Sequence, residues 1–177
     1  MKRKSFHFAL PLALLLTSSF AYGQDSHGPG PKKPRTVDDY TPRTLKEIAT
    51  QGTNEENRGN KEETMLLYGD ILPSRVRVKY TGLTRQFPPN KQEVLRQWAQ
   101  LYAGFPEGYT EPYKMEMLFI EDGTNHWLAV RKKSLPLMKQ GLKAGETVDL
   151  HFIRVGATRD SNRWELVLLV ENFQKLN

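Results

Sequence analysis

Cysteine is absent from all 177 residues of this chain. That absence excludes disulfides, thiol catalysis and cysteine-ligated zinc, and with them a lipid anchor on an N-terminal cysteine. Apolar residues are also scarce. They make up 38% of the sequence, below the usual share for a globular domain, so part of the chain is expected to stay out of the core. No apolar run is long enough to span a bilayer, which takes about 20 residues. The longest, Phe6–Leu16, is interrupted by His7 and Pro11. Also missing are a Walker-type glycine loop, a Gly-x-Ser-x-Gly elbow and a His-x-x-x-His pair, so no cofactor or resident metal is expected. Charge of one sign is not in great excess. The net charge is +6, and loss of Lys2, Arg3 and Lys4 by processing would lower it by three, to +3. That is enough for solubility and thin support for a polyanion partner.

What is present begins with an export pattern. Lys2-Arg3-Lys4 is a positive start, Phe6–Leu16 the apolar stretch, and Ala21-Tyr22-Gly23 places small residues where a signal peptidase inspects them. Met1–Gly23 is therefore expected to be a signal peptide cleaved between Gly23 and Gln24, leaving no stable membrane span and an exported product, periplasmic or secreted. Residues 24–63 follow as a polar tract. Its Gly28–Pro34 segment suits neither helix nor strand. Thr44–Ala49 suggests one helical turn. The remainder is too poor in apolar residues to offset the entropy of ordering, and a disordered linker is expected.

The folded domain is expected over residues 64–177. Met65–Tyr68 opens it. Ser74–Leu83 alternates Val76, Val78 and Tyr80 with Arg75, Arg77 and Lys79, a strand with one apolar and one basic face. Gly82 marks a bend or bulge near its end. Lys91–Ala103 reads as an amphipathic helix capped by Asn90 with Glu93 as its box partner. Val94, Leu95, Trp98, Leu101 and Tyr102 form its apolar stripe, and Gly104 is its stop. Tyr113–Val130 reads as a hairpin turning at Asp122-Gly123. Ser134–Gly141 is a short helix with Ser134 as N-cap and Pro136 in its first turn. Strands Val148–Val155 and Trp164–Val170 complete the chain, the last with Val167–Val170 buried on both faces.

Set aside the long helix and the order is β-β-β-α-β-β. That order resembles the OB-fold, a small five-stranded Greek-key barrel, with Lys91–Ala103 inserted in the first connection. The alternative is another small α+β barrel or sheet with the helix packed on it. The resemblance rests on element order over residues 70–173 and on no sequence motif.

Three functional readings follow. The first is a non-catalytic, exported binding or envelope-accessory module that contacts another protein through Phe105, Tyr109 and a sheet edge. Rings spaced by Gly and Pro in the first connection would make a stacking platform where OB-folds commonly bind; equally, such rings pin a helix to its sheet. The second is a polyanion binder for nucleic acid or anionic glycan. It would use Arg75, Arg77 and Lys79 together with Arg131, Lys132 and Lys133, beside an exposed aromatic such as Trp127. The bland counterpart is a solvated strand face. The third is a metal-dependent hydrolase, which would need His126, His151 and a carboxylate to meet. Secreted staphylococcal-type nucleases use the same fold. Their acidic calcium-binding motif and paired arginines find no match here, and Glu121-Asp122-Gly123-Thr124 reads as a hairpin turn.

Overall fold

Among the described residues seven strands, β1 (Thr41–Pro42), β2 (Met65–Leu67), β3 (Ser74–Gln86), β4 (Tyr113–Glu121), β5 (Thr124–Arg131), β6 (Thr147–Asp160) and β7 (Arg163–Lys175), form one sheet in the order β1-β3-β4-β5-β7-β6-β2, and a further pairing of β3 with β6 joins five of them into a ring. The computed structural model describes residues 35–56, 63–103, 112–160 and 163–176. The expected signal peptide with its Gly23/Gln24 cleavage point, and the aromatic residues Phe105 and Tyr109, lie outside the described residues.

The ring strands are β3 (Ser74–Gln86), β4 (Tyr113–Glu121), β5 (Thr124–Arg131), β6 (Thr147–Asp160) and β7 (Arg163–Lys175). All ring pairings are antiparallel except β5 with β7, which is parallel and spans only Ala129↔Leu169 and Val130↔Val170. The β4–β5 turn is Asp122-Gly123, both at positive φ (48° and 79°), as a tight hairpin demands. Gly82, at φ 78°, sits where the β3–β4 register shifts between Tyr80 and Thr84. The bend expected there is a bulge, and beyond it β3 runs three residues past the expected end at Leu83.

Two cores lie on opposite sides of the sheet. Inside the ring, Val76, Val78, Tyr80, Met117, Phe119, Leu150, Phe152 and Val170 pack together. Helix α3 (Ser134–Gly141) adds Met138 to this core. On the outer side, Ala129, Ile153, Val155, Val167 and Leu169 pack under helix α2 (Pro89–Trp98), which contributes Val94, Leu95 and Trp98. This double burial explains why Val167–Val170 are all apolar: their alternate members serve different cores. The short strand β2 (Met65–Leu67) pairs with β6 at Gly156–Thr158 beneath α2. A Cβ at Gly156 would lie against the Leu66 carbonyl and 2.6 Å from Val94 Cγ1, so this crossing requires glycine.

Several local expectations are corrected. Helix α2 starts at Pro89 with Pro88 at its N-cap, not Asn90. Proline at the first helical position is pre-set for the helix and gives up no needed donor. Glu93 turns instead to Arg96 and Gln97, and the Arg96 hydrogen bond pulls its carboxyl down to about 2. After Trp98 the chain enters a π-helical turn, Ala99–Ala103. The wider turn breaks the 3.6-residue phase. Leu101 and Tyr102, expected on the buried stripe, are accordingly exposed at 69% and 48%. At α3, Lys133 rather than Ser134 is the N-cap, and Ser134 is buried.

The largest difference lies in the polar tract. The compact unit begins at Arg35, and Val37–Asp39 forms a 3-10 turn. Strand β1 (Thr41–Pro42) then pairs in parallel with Ser74 and Arg75 of β3. Helix α1 (Leu45–Glu56) follows. Few apolar residues are involved, but three are well buried: Tyr40, Leu45 and Ile48 are 7%, 2% and 0% exposed. Polar groups do the rest. The Glu47 amide donates to Thr44 Oγ1 and the Thr44 amide donates to Glu47 Oε2, a capping box. The buried Glu121 carboxylate of β4 accepts from the amides of Leu45 and Lys46. Among the described residues no helix is long and apolar enough to cross a membrane.

Candidate functional site: an arginine–tryptophan face and a strapped basic strand

Alternation along β3 puts Arg75, Arg77 and Lys79 opposite the ring core, as the sequence pattern requires. They stand across from His151, Asp149 and Thr147 of β6. Arg77 grips Asp149 with two hydrogen bonds, Nε to Oδ1 at 2.9 Å and Nη2 to Oδ2 at 3.1 Å. Arg75 and Lys79 pair with no acidic group among the described residues. The second basic group does not join them into a bare stripe. Arg131 donates to Tyr113 Oη at 3.0 Å and lies 3.6 Å from Glu171. Lys132 and Lys133 are exposed in the turn leading to α3.

Glu171 is the hub between the groups. It accepts from Arg35 Nη1 and from Tyr40 Oη, both at 2.7 Å, as well as facing Arg131. The Tyr40 ring meets the His151 ring edge-on at 5.0 Å between centroids. Residues 35–43 therefore run as a strap across β7 and β6 to the edge of β3. Thr41 N donates to Pro73 O and Arg43 N to Arg75 O, fixing its far end. Burial, then the bond to Glu171, pushes the Tyr40 hydroxyl up to about 12. His151 is 1% exposed, and burial with the nearby Arg75 holds its pKa below the ordinary imidazole value.

A second cluster lies on the outer face of β3, β4 and β5. The Arg85 guanidinium sits 4.4 Å above the Trp127 ring. It is held there by Glu116, which is 1% exposed and accepts from Arg85 Nε at 2.6 Å. Glu116 also accepts from Lys91 Nζ at 2.9 Å, and Lys91 reaches Glu165 at 3.1 Å. Lys91 is itself 3% exposed on α2. Charges this dry persist only in close pairs, and here they clamp α2 to the sheet. Trp127 remains half-buried, and Leu83, two residues before Arg85, is 58% exposed. The result is an arginine–aromatic pair with fixed geometry, with an exposed aliphatic residue two positions earlier on the same strand.

Of the residues singled out by sequence, Trp127 thus falls into one cluster and Arg75, Arg77, Lys79 and Arg131 surround another. Phe105 and Tyr109 lie outside the described residues. Arg85, Glu116, Lys91, Tyr40 and Glu171 were not anticipated. Arg85 shares the odd parity of Arg75, Arg77 and Lys79, and this was the available signal. His126 and His151 sit on β5 and β6, strands that do not pair with each other. Burial also lowers the His126 pKa, against the opposing charge of Glu121. Among the described residues no group of three or more His, Asp or Glu side chains is placed to hold a metal ion.

No protein-family model matches the chain, and no match is found among curated proteins.

Proposed function

We propose that the five-strand ring is an OB-fold and that the chain is an exported, non-catalytic module that binds another envelope protein. The ring order β3-β4-β5-β7-β6, closing on β3 with α3 between β5 and β6, supports the fold reading. The bend at Gly82 supports it too. The export reading rests on the Met1–Gly23 pattern.

The observation that carries the binding reading is Arg85, fixed 4.4 Å over Trp127 by a buried carboxylate. Arginine and tryptophan dominate contact energies at protein interfaces when their rotamers are settled beforehand. Exposed Leu83 extends the patch. Photo-crosslinkers at positions 83 and 125, the latter exposed on β5 two residues from Trp127, in the full chain produced by its native host, test it. The expected result is one discrete protein adduct that survives about 0.5 M salt, since an apolar contact outlasts charge screening. Trp127→Ala should remove it. Absence of adduct at both positions would overturn the reading.

A second reading, a polyanion binder on the β3 face, is favoured by Arg75 and Lys79, which lack acidic partners among the described residues, and by exposed Lys132 and Lys133. Against it, Asp149 occupies Arg77 and Glu171 occupies Arg131. Heparin and oligonucleotide titrations separate the two. A polyanion site loses affinity steeply with salt and fails in the combined Arg75→Ala, Arg77→Ala, Lys79→Ala variant. Equal binding by that variant and the wild type removes this reading.

A further inference from the structure

A strand residue that alternates with ring-core residues should face water. His151 lies between Leu150 and Phe152, both in the ring core, yet it is 1% exposed. The strap of residues 35–43 covers it, with the Tyr40 ring laid against the imidazole. This cover supplies no hydrogen bond: among the described residues neither Nδ1 nor Nε2 of His151 has a partner. A neutral imidazole has one donor and one acceptor to satisfy, and burying both unpaired opposes closure of the strap. An imidazolium there would be worse, with two unmatched donors and a charge in a dry site.

The groups around the ring do not relieve that charge. From β3, Arg75 stands in register with His151 and repels a cation. On β6 itself, Asp149 attracts one, but both of its oxygens are taken by Arg77. From β7, Asn172 is the register partner, and the neighbouring Glu171 already serves Arg35, Tyr40 and Arg131. From the strap come the neutral Tyr40 phenol, the Arg35 and Arg43 cations, and the carboxylates of Asp38 and Asp39, of which Asp39 is turned back onto Thr36. The strap is a thin element, joined to β3 through only two register pairs. Its hinge is well defined. Beyond Thr44 the chain is pinned by Glu121 on the first amides of α1 and by the burial of Leu45 and Ile48.

We propose that residues 35–43 form a pH-operated latch, closed over His151 while the imidazole is neutral and lifted when it takes up a proton. Lifting bares Arg75 and His151 side by side and opens the β3 edge at Ser74 and Arg75. The sign follows from linkage. The open state binds the proton at the ordinary imidazole pKa and the closed state only at a lower one. Closure is therefore fully favoured above the ordinary value and weakens as pH falls below it, by up to about tenfold per pH unit until the closed-state pKa is reached.

Amide hydrogen exchange by NMR on the full chain tests the latch. The amides to follow are those of Thr41 and Arg43, with the His151 ring titration read in the same samples. After correction for intrinsic exchange, protection of both strap amides should drop between pH 7.5 and pH 5, while β6 core amides keep theirs. In His151→Leu the strap amides should keep their protection at pH 5. In Glu171→Gln protection should fall at every pH while its pH dependence remains. The proposal is overturned if wild-type strap protection is the same at both pH values, or if His151→Leu loses it equally. It is also overturned if His151 titrates at or above the ordinary imidazole value, a result that needs no variant to fold.

Discussion

The Glu121 carboxylate of β4 sits across the N-terminus of α1, accepting from Leu45 N at 2.9 Å and Lys46 N at 3.2 Å. A negative group there answers both the free amides and the positive end of the helix dipole. Because Glu121 also begins the Asp122-Gly123 turn, one side chain ties the hairpin to the helix that leads out of the strap. Glu121→Ala should cost about 1–2 kcal/mol, the range for losing a helix cap. Glu121→Gln, which keeps one acceptor, should cost less. Urea denaturation midpoints of the two variants give the order.

The Lys91–Glu116 pair should show strong non-additivity. Glu116→Leu alone leaves the buried Lys91 ammonium with only the partly exposed Glu165, and is expected to cost about 3–5 kcal/mol. Lys91→Met combined with Glu116→Leu should recover part of that loss, since an apolar pair of similar volume avoids the desolvation penalty while the half-exposed Arg85 turns to water. A double-mutant cycle by chemical denaturation measures the coupling.

Gly156→Ala should cost about 1–3 kcal/mol through overpacking. The added methyl has no free direction, being blocked by the Leu66 carbonyl and by Val94 of α2. Val94→Ala in the same chain should relieve only the helix side of the clash. The thermal midpoint of the single and double variants checks both statements.

Tyr40 predicts an alkaline limit. Its hydroxyl ionises near 12 in the folded chain against 10 when free. A raised folded pKa means the contribution is complete below pH 10 and is lost as pH rises from 10 through 12. The full effect is about 2–3 kcal/mol at the conversion of 1.4 kcal/mol per unit. Tyr40→Phe should be less stable at pH 8, having lost the bond to Glu171, yet flatter between pH 9 and pH 11.5. Denaturation midpoints across that window decide it.

Where alternation or helical spacing was long and uninterrupted, the fold could be read directly. Strands β3 to β7, the Asp122-Gly123 hairpin, α2 and α3 all carry patterns that burial alone explains. The strap was illegible, and α1 legible only as the single turn Thr44–Ala49, for a physical reason. They are held by three apolar side chains and a set of polar contacts to residues far along the chain, such as Tyr40 and Arg35 to Glu171. Composition reports average burial and misses such placement. The Thr44-x-x-Glu47 box was a second local sign, beside the Leu45, Ile48 and Ala49 spacing. The candidate site was half legible for a similar reason. Parity located the basic face of β3, but the acids that neutralise Arg77 and Arg131 come from β6 and β7, and no local pattern pairs strands across the ring.

The ring has an order of assembly written into its loops. The β4–β5 hairpin closes through Asp122-Gly123 and the β6–β7 hairpin is nearly as local, joined at Asp160↔Arg163. The β3–β6 pairing, by contrast, brings together residues 72 apart, as Arg77 and Asp149 show. The parallel β5–β7 seam rests on only two register pairs. Loop-closure entropy favours the hairpins first and the seams last. Until the seams shut, the free margins of β3 and β5 are open templates for strands of other chains. Kinetic competition with aggregation should therefore centre on this late closure, and refolding yield should fall as chain concentration rises even where the finished ring is stable.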